Sequence, residues 1–128
     1  MKDYPFFSVD ELKCKCGECD GGEMSDIFMM KLVRLRRLLG IGMVVSSGFR
    51  CANYNANVSK TKSRTGPHTT GHSVDVLCSH TKAFKILELA FEVGMTGVGV
   101  RQKGDSRFIH LDDLPQGPAQ PRPHIWSY

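Results

Sequence analysis

The sequence has no long apolar run, no internal repeat and a single tryptophan. Its longest apolar stretch, Gly40 to Val45, falls far short of the ~20 residues needed to cross a bilayer, so no membrane span is expected. No apolar stretch follows Met1-Lys2-Asp3-Tyr4-Pro5, which argues against a secretory signal and for synthesis in the cytoplasm. Paired C-x2-C knuckles are missing, and five cysteines is an odd number for a chain made in a reducing compartment. A disulfide framework is therefore a poor expectation. The chain also lacks aromatics interleaved with basic residues, and with them the stacking platform of a nucleic-acid reader. Its net charge of +4, from 17 basic and 13 acidic residues, suits an anionic partner without naming one. Four of those basic residues fall between Lys31 and Arg37, where they alternate with Leu32, Val33 and Leu35 as the wet side of an amphipathic helix.

What is present suffices for one domain. At 128 residues, 41% hydrophobic and 23% charged, the chain can bury a core and is not disordered in bulk. Ser8-Val9-Asp10-Glu11 has capping-box spacing and predicts a short helical turn. Ser25 to Leu39 predicts a helix with Phe28, Leu32, Leu35 and Leu39 inward, stopped by Gly40. Ile41 to Ser46 reads as a buried strand, Cys51 to Val58 as a short helix or turn, and Ser59 to Gly66 as an exposed loop. His72 to Leu77 suits a strand, and Thr81 to Val93 a second helix with Phe84, Leu87 and Phe91 on one stripe. Gly97 to Arg101 and Phe108 to Asp112 read as strands around a turn at Gln102 to Asp105. The tail, Leu114 to Tyr128, holds four of the six prolines and cannot be regular throughout. The expected class is α+β, a mostly antiparallel sheet with helices on one face. The expected single domain spans 1–128, with a cysteine-bearing segment at 1–24 and a proline-rich tail at 114–128 packed on it.

The chemistry concentrates in two places. Cys14, Cys16 and Cys19 form C-x-C-x2-C, and three thiolates so close are able to share a structural zinc if Cys51 or Cys78 supplies a fourth ligand. Free thiols, or a pair that oxidises outside the cell, are the alternatives. The second place is Pro67-His68-Thr69-Thr70-Gly71-His72-Ser73-Val74-Asp75. A turn at Gly71 brings His68 beside Asp75, and imidazole and carboxylate both suit zinc. His110, inside an otherwise apolar strand, is the candidate third ligand, because a buried imidazole needs a partner. Taken singly, such residues are common as hydrogen-bonded core histidines.

In combination they resemble a known family. His68-x2-Gly71-x-Ser73-x-Asp75 resembles the H-x2-G-x-A-x-D signature of the zinc D-alanyl-D-alanine carboxypeptidases, peptidoglycan peptidases that include phage endolysins. Ser47-Gly48-Phe49-Arg50 with Asn53-Tyr54-Asn55, then Gly97-Val98-Gly99-Val100, then Phe108-Ile109-His110-Leu111-Asp112 resemble further segments of that family in the same order. The opening Phe7 to Leu12 with its cysteines is similar to the small phage-type members, so the likeness runs from Phe7 to Asp112.

The resemblance implies a zinc metallopeptidase acting on peptidoglycan stems or cross-bridges. It implies His68, Asp75 and His110 as zinc ligands, and Arg50 as the group that binds a substrate carboxylate or the developing oxyanion. Two positions depart from the pattern: Ser73 replaces the usual alanine, and Arg107 stands where many members carry the catalytic carboxylate. The general base is then expected from Asp112, which shares strand parity with His110, or from Asp105 on the preceding turn. Asp113 or a histidine is the remaining option, while His72 and His124 are expected to face solvent or contact substrate. A monomer released by a holin or carried on a virion is the expected setting. A zinc-stabilised binding module that has lost catalysis is the alternative.

Overall fold

The computed structural model describes residues 1–128. Ser8 opens the first helix, α1 (Val9–Leu12), by the predicted reciprocal cap. Its hydroxyl accepts from the Glu11 amide, and the Glu11 carboxylate accepts from the Ser8 amide. α2 (Asp26–Leu39) is capped by Ser25 and ends where Gly40 takes a left-handed φ of 74°. It buries Phe28, Met29, Leu32, Val33 and Leu35. β1 (Val44–Ser47), α3 (Ala52–Val58), a 3₁₀ turn (Pro67–Thr70), β2 (Ser73–Leu77), α4 (His80–Val93), β3 (Gly97–Arg101), β4 (Phe108–Asp112) and β5 (His124–Ser127) follow. No helix is long and apolar enough to cross a membrane.

The five strands form one sheet in the order β1-β2-β4-β3-β5. Every neighbouring pair is antiparallel except β3 with β5, so the class is α+β as expected. Alternation divides the side chains. Val74 and Val76 of β2, Ile109 and Leu111 of β4, and Val98 of β3 point into a core shared with α2 and α4. Ser73, Asp75, His110 and Asp112 point to the opposite face, which is also buried.

Three expectations change. The strand expected to be buried over Ile41 to Ser46 starts only at Val44, and Ile41 and Val44 are exposed, because β1 is an edge strand of the sheet. α4 does not turn Phe84 and Phe91 inward: they are 69% and 52% exposed, and Leu87 is only partly buried. The buried stripe is Ala83, Ile86, Ala90 and Val93, one residue round the helix with the same spacing. Two alanines on that stripe let α4 approach α2 and the sheet closely, and this outweighs the larger area that the phenylalanines would bury. The tail, irregular through its prolines, ends in β5, an edge strand beside β3 that the proline content conceals.

Candidate metal centre

The strand registers put Ser47, Asp75, His110, Gly99 and Trp126 in one row across all five strands. Residues directly opposite each other share a face, so this row defines the site. His68 reaches it from the 3₁₀ turn. Gly71 ends that turn with φ 75°, and its carbonyl accepts from the Ser25 amide at 2.9 Å, which fixes the turn to the start of α2. A side chain at Gly71 would stand 2.6 Å from the Glu23 carbonyl, so glycine is required for the close approach as well as the conformation.

His68, Asp75 and His110 are all buried, and their donor atoms lie within 4.8 Å of one another. His68 Nε2 is 3.3 Å and His110 Nδ1 3.1 Å from Asp75 Oδ1. Zinc bonds of about 2.0–2.2 Å separate tetrahedral donors by about 3.3–3.6 Å, so these spacings are close to the edges of a zinc polyhedron. The tautomers agree. His68 Nδ1 lies 2.8 Å from the Gly48 carbonyl, which only accepts, so the ring proton sits there and the Nε2 lone pair faces Asp75. His110 Nε2 lies 2.8 Å from Asp112 Oδ2, leaving Nδ1 to face Asp75 in turn. Two lone pairs and a carboxylate converge on one point, an arrangement that calls for a cation. Burial alone would raise the Asp75 carboxyl, but the imidazoles of His110 and His68 draw it well below the usual carboxylate range. Burial likewise disfavours charge on His110, yet Asp112 and Asp75 raise its pKa.

Arg50 lies beside this cluster, its guanidinium donating to Ser47 Oγ at 3.0 Å, Asn55 Oδ1 at 3.1 Å and Asp75 Oδ2 at 3.5 Å. A cleft of about 1170 Å³ opens over it, with Trp126, Tyr128 and Phe108 on one wall. Asp75 is the one carboxylate lining the cleft, against the cations Lys15, Arg50, Lys60, Arg101 and Lys103.

The candidate bases separate sharply. Asp112 shares a face with His110, as parity predicts, but it is 0% exposed and does not line the cleft. Arg122 clamps both its oxygens at 2.9 and 2.8 Å, the Leu114 amide adds a bond, and His110 takes Oδ2. With every lone pair committed away from the cleft, Asp112 is placed to orient His110 and not to take a proton from water. Asp105 stays exposed and does not itself line the cleft, although its neighbours Gly104 and Ser106 do. Asp113 is bound to Lys31 and to His72, so that histidine is not a free surface group. His124 is exposed and stacks on Trp126. Arg107 turns away to the Gly104 carbonyl.

Sequence reasoning missed Arg122, Trp126 and Tyr128. Trp126 and Tyr128 do carry a signal, aromatics at alternate positions after the last proline. Arg122 has none, because its partner is ten residues away across a proline-rich loop. Among the cysteines, Cys14, Cys16, Cys19 and Cys51 come together, whereas Cys78 is buried elsewhere in the main core.

No curated protein and no solved structure matches the chain. A family model does: the one described as Peptidase M15 matches residues 5–112, a span that holds the three converging donors, Arg50 and every strand but β5. The chain therefore belongs to the Peptidase M15 family.

Proposed function

We propose that this chain is a zinc-dependent peptidase that hydrolyses peptide bonds in peptidoglycan stems or cross-bridges, with His68, Asp75 and His110 as the metal ligands. Family membership and the His/Asp/His cluster support a metallopeptidase of this general kind. The observation that carries the proposal is the convergence of three buried donors at zinc-like spacings on the floor of an open cleft. When bound, zinc supplies Lewis acidity, polarising a carbonyl and lowering the pKa of water toward ~7.

The chain's own residues do the rest. The Gly48 carbonyl and the Asp112 carboxylate each accept a hydrogen bond from one imidazole N–H, which keeps the opposite nitrogens free to ligate. Arg50, fixed by Ser47 and Asn55, presents a cation where a substrate carboxylate or a developing oxyanion lies. The five cations around the cleft favour a peptide rich in carboxylates. Asp105, exposed between the cleft residues Gly104 and Ser106, is the general base in this reading, reaching in from the turn, and Asp112 is a positioning residue. The working setting is lysis of a bacterial wall by a phage or prophage, with residues 1–128 acting as one unit.

A single observation favours a second reading. With no carboxylate but Asp75 lining the cleft, the same fold serves equally as a zinc-stabilised binding module. Mass spectrometry of muropeptides incubated with wild type, His68→Ala, Asp105→Ala and Asp112→Asn separates the two. Free alanine indicates a carboxypeptidase, and new amines within the stem or bridge an endopeptidase. Asp105→Ala is expected to lose on the order of 10²–10⁴ in rate while keeping its zinc. Wild type that holds zinc but leaves every muropeptide intact across a range of pH sinks the enzyme reading.

A further inference from the structure

The N-terminal cysteines occupy a second cluster, away from the cleft floor. We propose that Cys14, Cys16, Cys19 and Cys51 hold one zinc ion in a closed tetrahedral thiolate site, and that this ion tethers the segment carrying Gly48 and Arg50. The four Sγ atoms lie within 4.8 Å of one another, and Cys16 Sγ is 3.9 Å from Cys51 Sγ. A zinc–thiolate bond of about 2.3 Å sets tetrahedral sulfurs about 3.8 Å apart. A disulfide requires about 2.05 Å, and none of the five cysteines is so joined.

The backbone around the sulfurs is arranged for thiolates. Each receives at least one amide: Cys14 from Cys51 at 3.3 Å, Cys16 from Glu18 and Cys19 at 3.3 Å each, Cys19 from Gly21 at 3.4 Å, and Cys51 from Tyr54 at 3.4 Å. Neutral thiols are weak acceptors that attract few such bonds, whereas metal thiolates depend on them to offset their charge. Four thiolates complete a tetrahedral set by themselves, which suits a structural ion and not a catalytic one.

The location gives the ion a task. Cys14, Cys16 and Cys19 follow α1, while Cys51 immediately follows Arg50 and caps α3. Between these points the Phe49 amide donates to the Leu12 carbonyl, and Gly48 packs so tightly on Leu12 that a side chain there would meet its backbone at 2.5 Å. A metal clamp at residues 14–19 and 51 therefore holds the Gly48 carbonyl against His68 and sets the start of the Arg50 side chain. This consequence rests on the catalytic reading above, whereas the metal site itself does not.

Zinc content and cobalt spectra of the purified full chain test the proposal. Wild type is expected to carry two zinc ions and His68→Ala/His110→Ala one. With cobalt in place of zinc, that double variant should show the intense sulfur-to-metal charge-transfer band of thiolate ligation. Cys19→Ser, at an exposed ligand, is expected to lose one zinc and melt at lower temperature, and Cys78→Ser to keep both. Should Cys51→Ser fail to fold, Cys19→Ser and mercurial titration of the wild type, which should release the thiolate-bound zinc, still decide the matter. The proposal falls if His68→Ala/His110→Ala binds no zinc and shows no thiolate band, if the four cysteines are found as two disulfides, or if the bound metal is iron. Failure of the catalytic site alone looks different: wild type and His68→Ala/His110→Ala would then carry the same single, thiolate-bound ion.

Discussion

Replacing Arg122 by alanine tests how the site is supported from beneath. The guanidinium makes two charge-assisted bonds to a carboxylate with no solvent exposure, at 2.9 and 2.8 Å. Removing one member of a buried ion pair costs about 3–5 kcal/mol, mainly because the remaining charge is left without a partner. Arg122 also lies over the Trp126 ring at 5.2 Å, a contact worth about 0.5–1 kcal/mol more. For a domain of this size the melting temperature should fall by about 10–20 °C. Because Asp112 holds the His110 ring, zinc affinity at the His68–Asp75–His110 cluster should weaken about 10–100-fold. Denaturant unfolding of zinc-loaded and chelated protein, with a competition titration for the metal, measures both effects. The double variant Arg122→Ala/Asp112→Asn should recover part of the loss, since the amide leaves no buried charge, giving a coupling energy of about 2 kcal/mol. If Arg122→Ala costs less than about 1 kcal/mol, as an exposed pair would, and the two substitutions simply add, the reasoning is wrong.

Two smaller predictions accompany it. Ser73 is 0% exposed and its hydroxyl has no partner, so Ser73→Ala should be neutral or stabilising by about 1 kcal/mol in thermal unfolding; a loss of comparable size would reveal a partner for that hydroxyl. Burial alone would raise the Asp112 carboxyl, but bonds from His110 and Arg122 outweigh it and bring it down to about 2 from 3.8. A carboxyl made more acidic by folding contributes fully above its unfolded pKa and loses that contribution as pH falls through the folded value. About 2 kcal/mol should therefore disappear between about pH 4 and pH 2. Acid titrations of the wild type and of Arg122→Ala check this, and the variant's loss should begin at higher pH.

Much of the scaffold is local in origin and could be read from the chain. Ser8 with Glu11 and Ser25 with Gly40 mark helix ends through hydrogen bonds made within a few residues. The strands at Gly97–Arg101 and Phe108–Asp112 follow from alternation around a polar turn. Alternation also places His110 and Asp112 on one face, yet does not reveal that a distant arginine covers one of them. Similarly, the 3.6-residue period marks α4 as amphipathic but is shared by two adjacent stripes. Only the fit against α2 and the sheet selects the one with alanines.

The sequence by itself determined which side chains are chemically able to bind a metal, and that a glycine turn sets His68 near Asp75. Tertiary structure brought His110, which the sequence offered only as a candidate, up to His68 and Asp75, and it alone decided that Cys51 and not Cys78 joins the N-terminal thiols. It also decided that Asp112 is bonded to His110 while Asp105 is left exposed on its turn. The reason is range. Caps, turns and parity act over a few residues along the chain, whereas the environment of a carboxylate or thiol depends on which remote segment lies over it, and that is known only once the whole chain has folded.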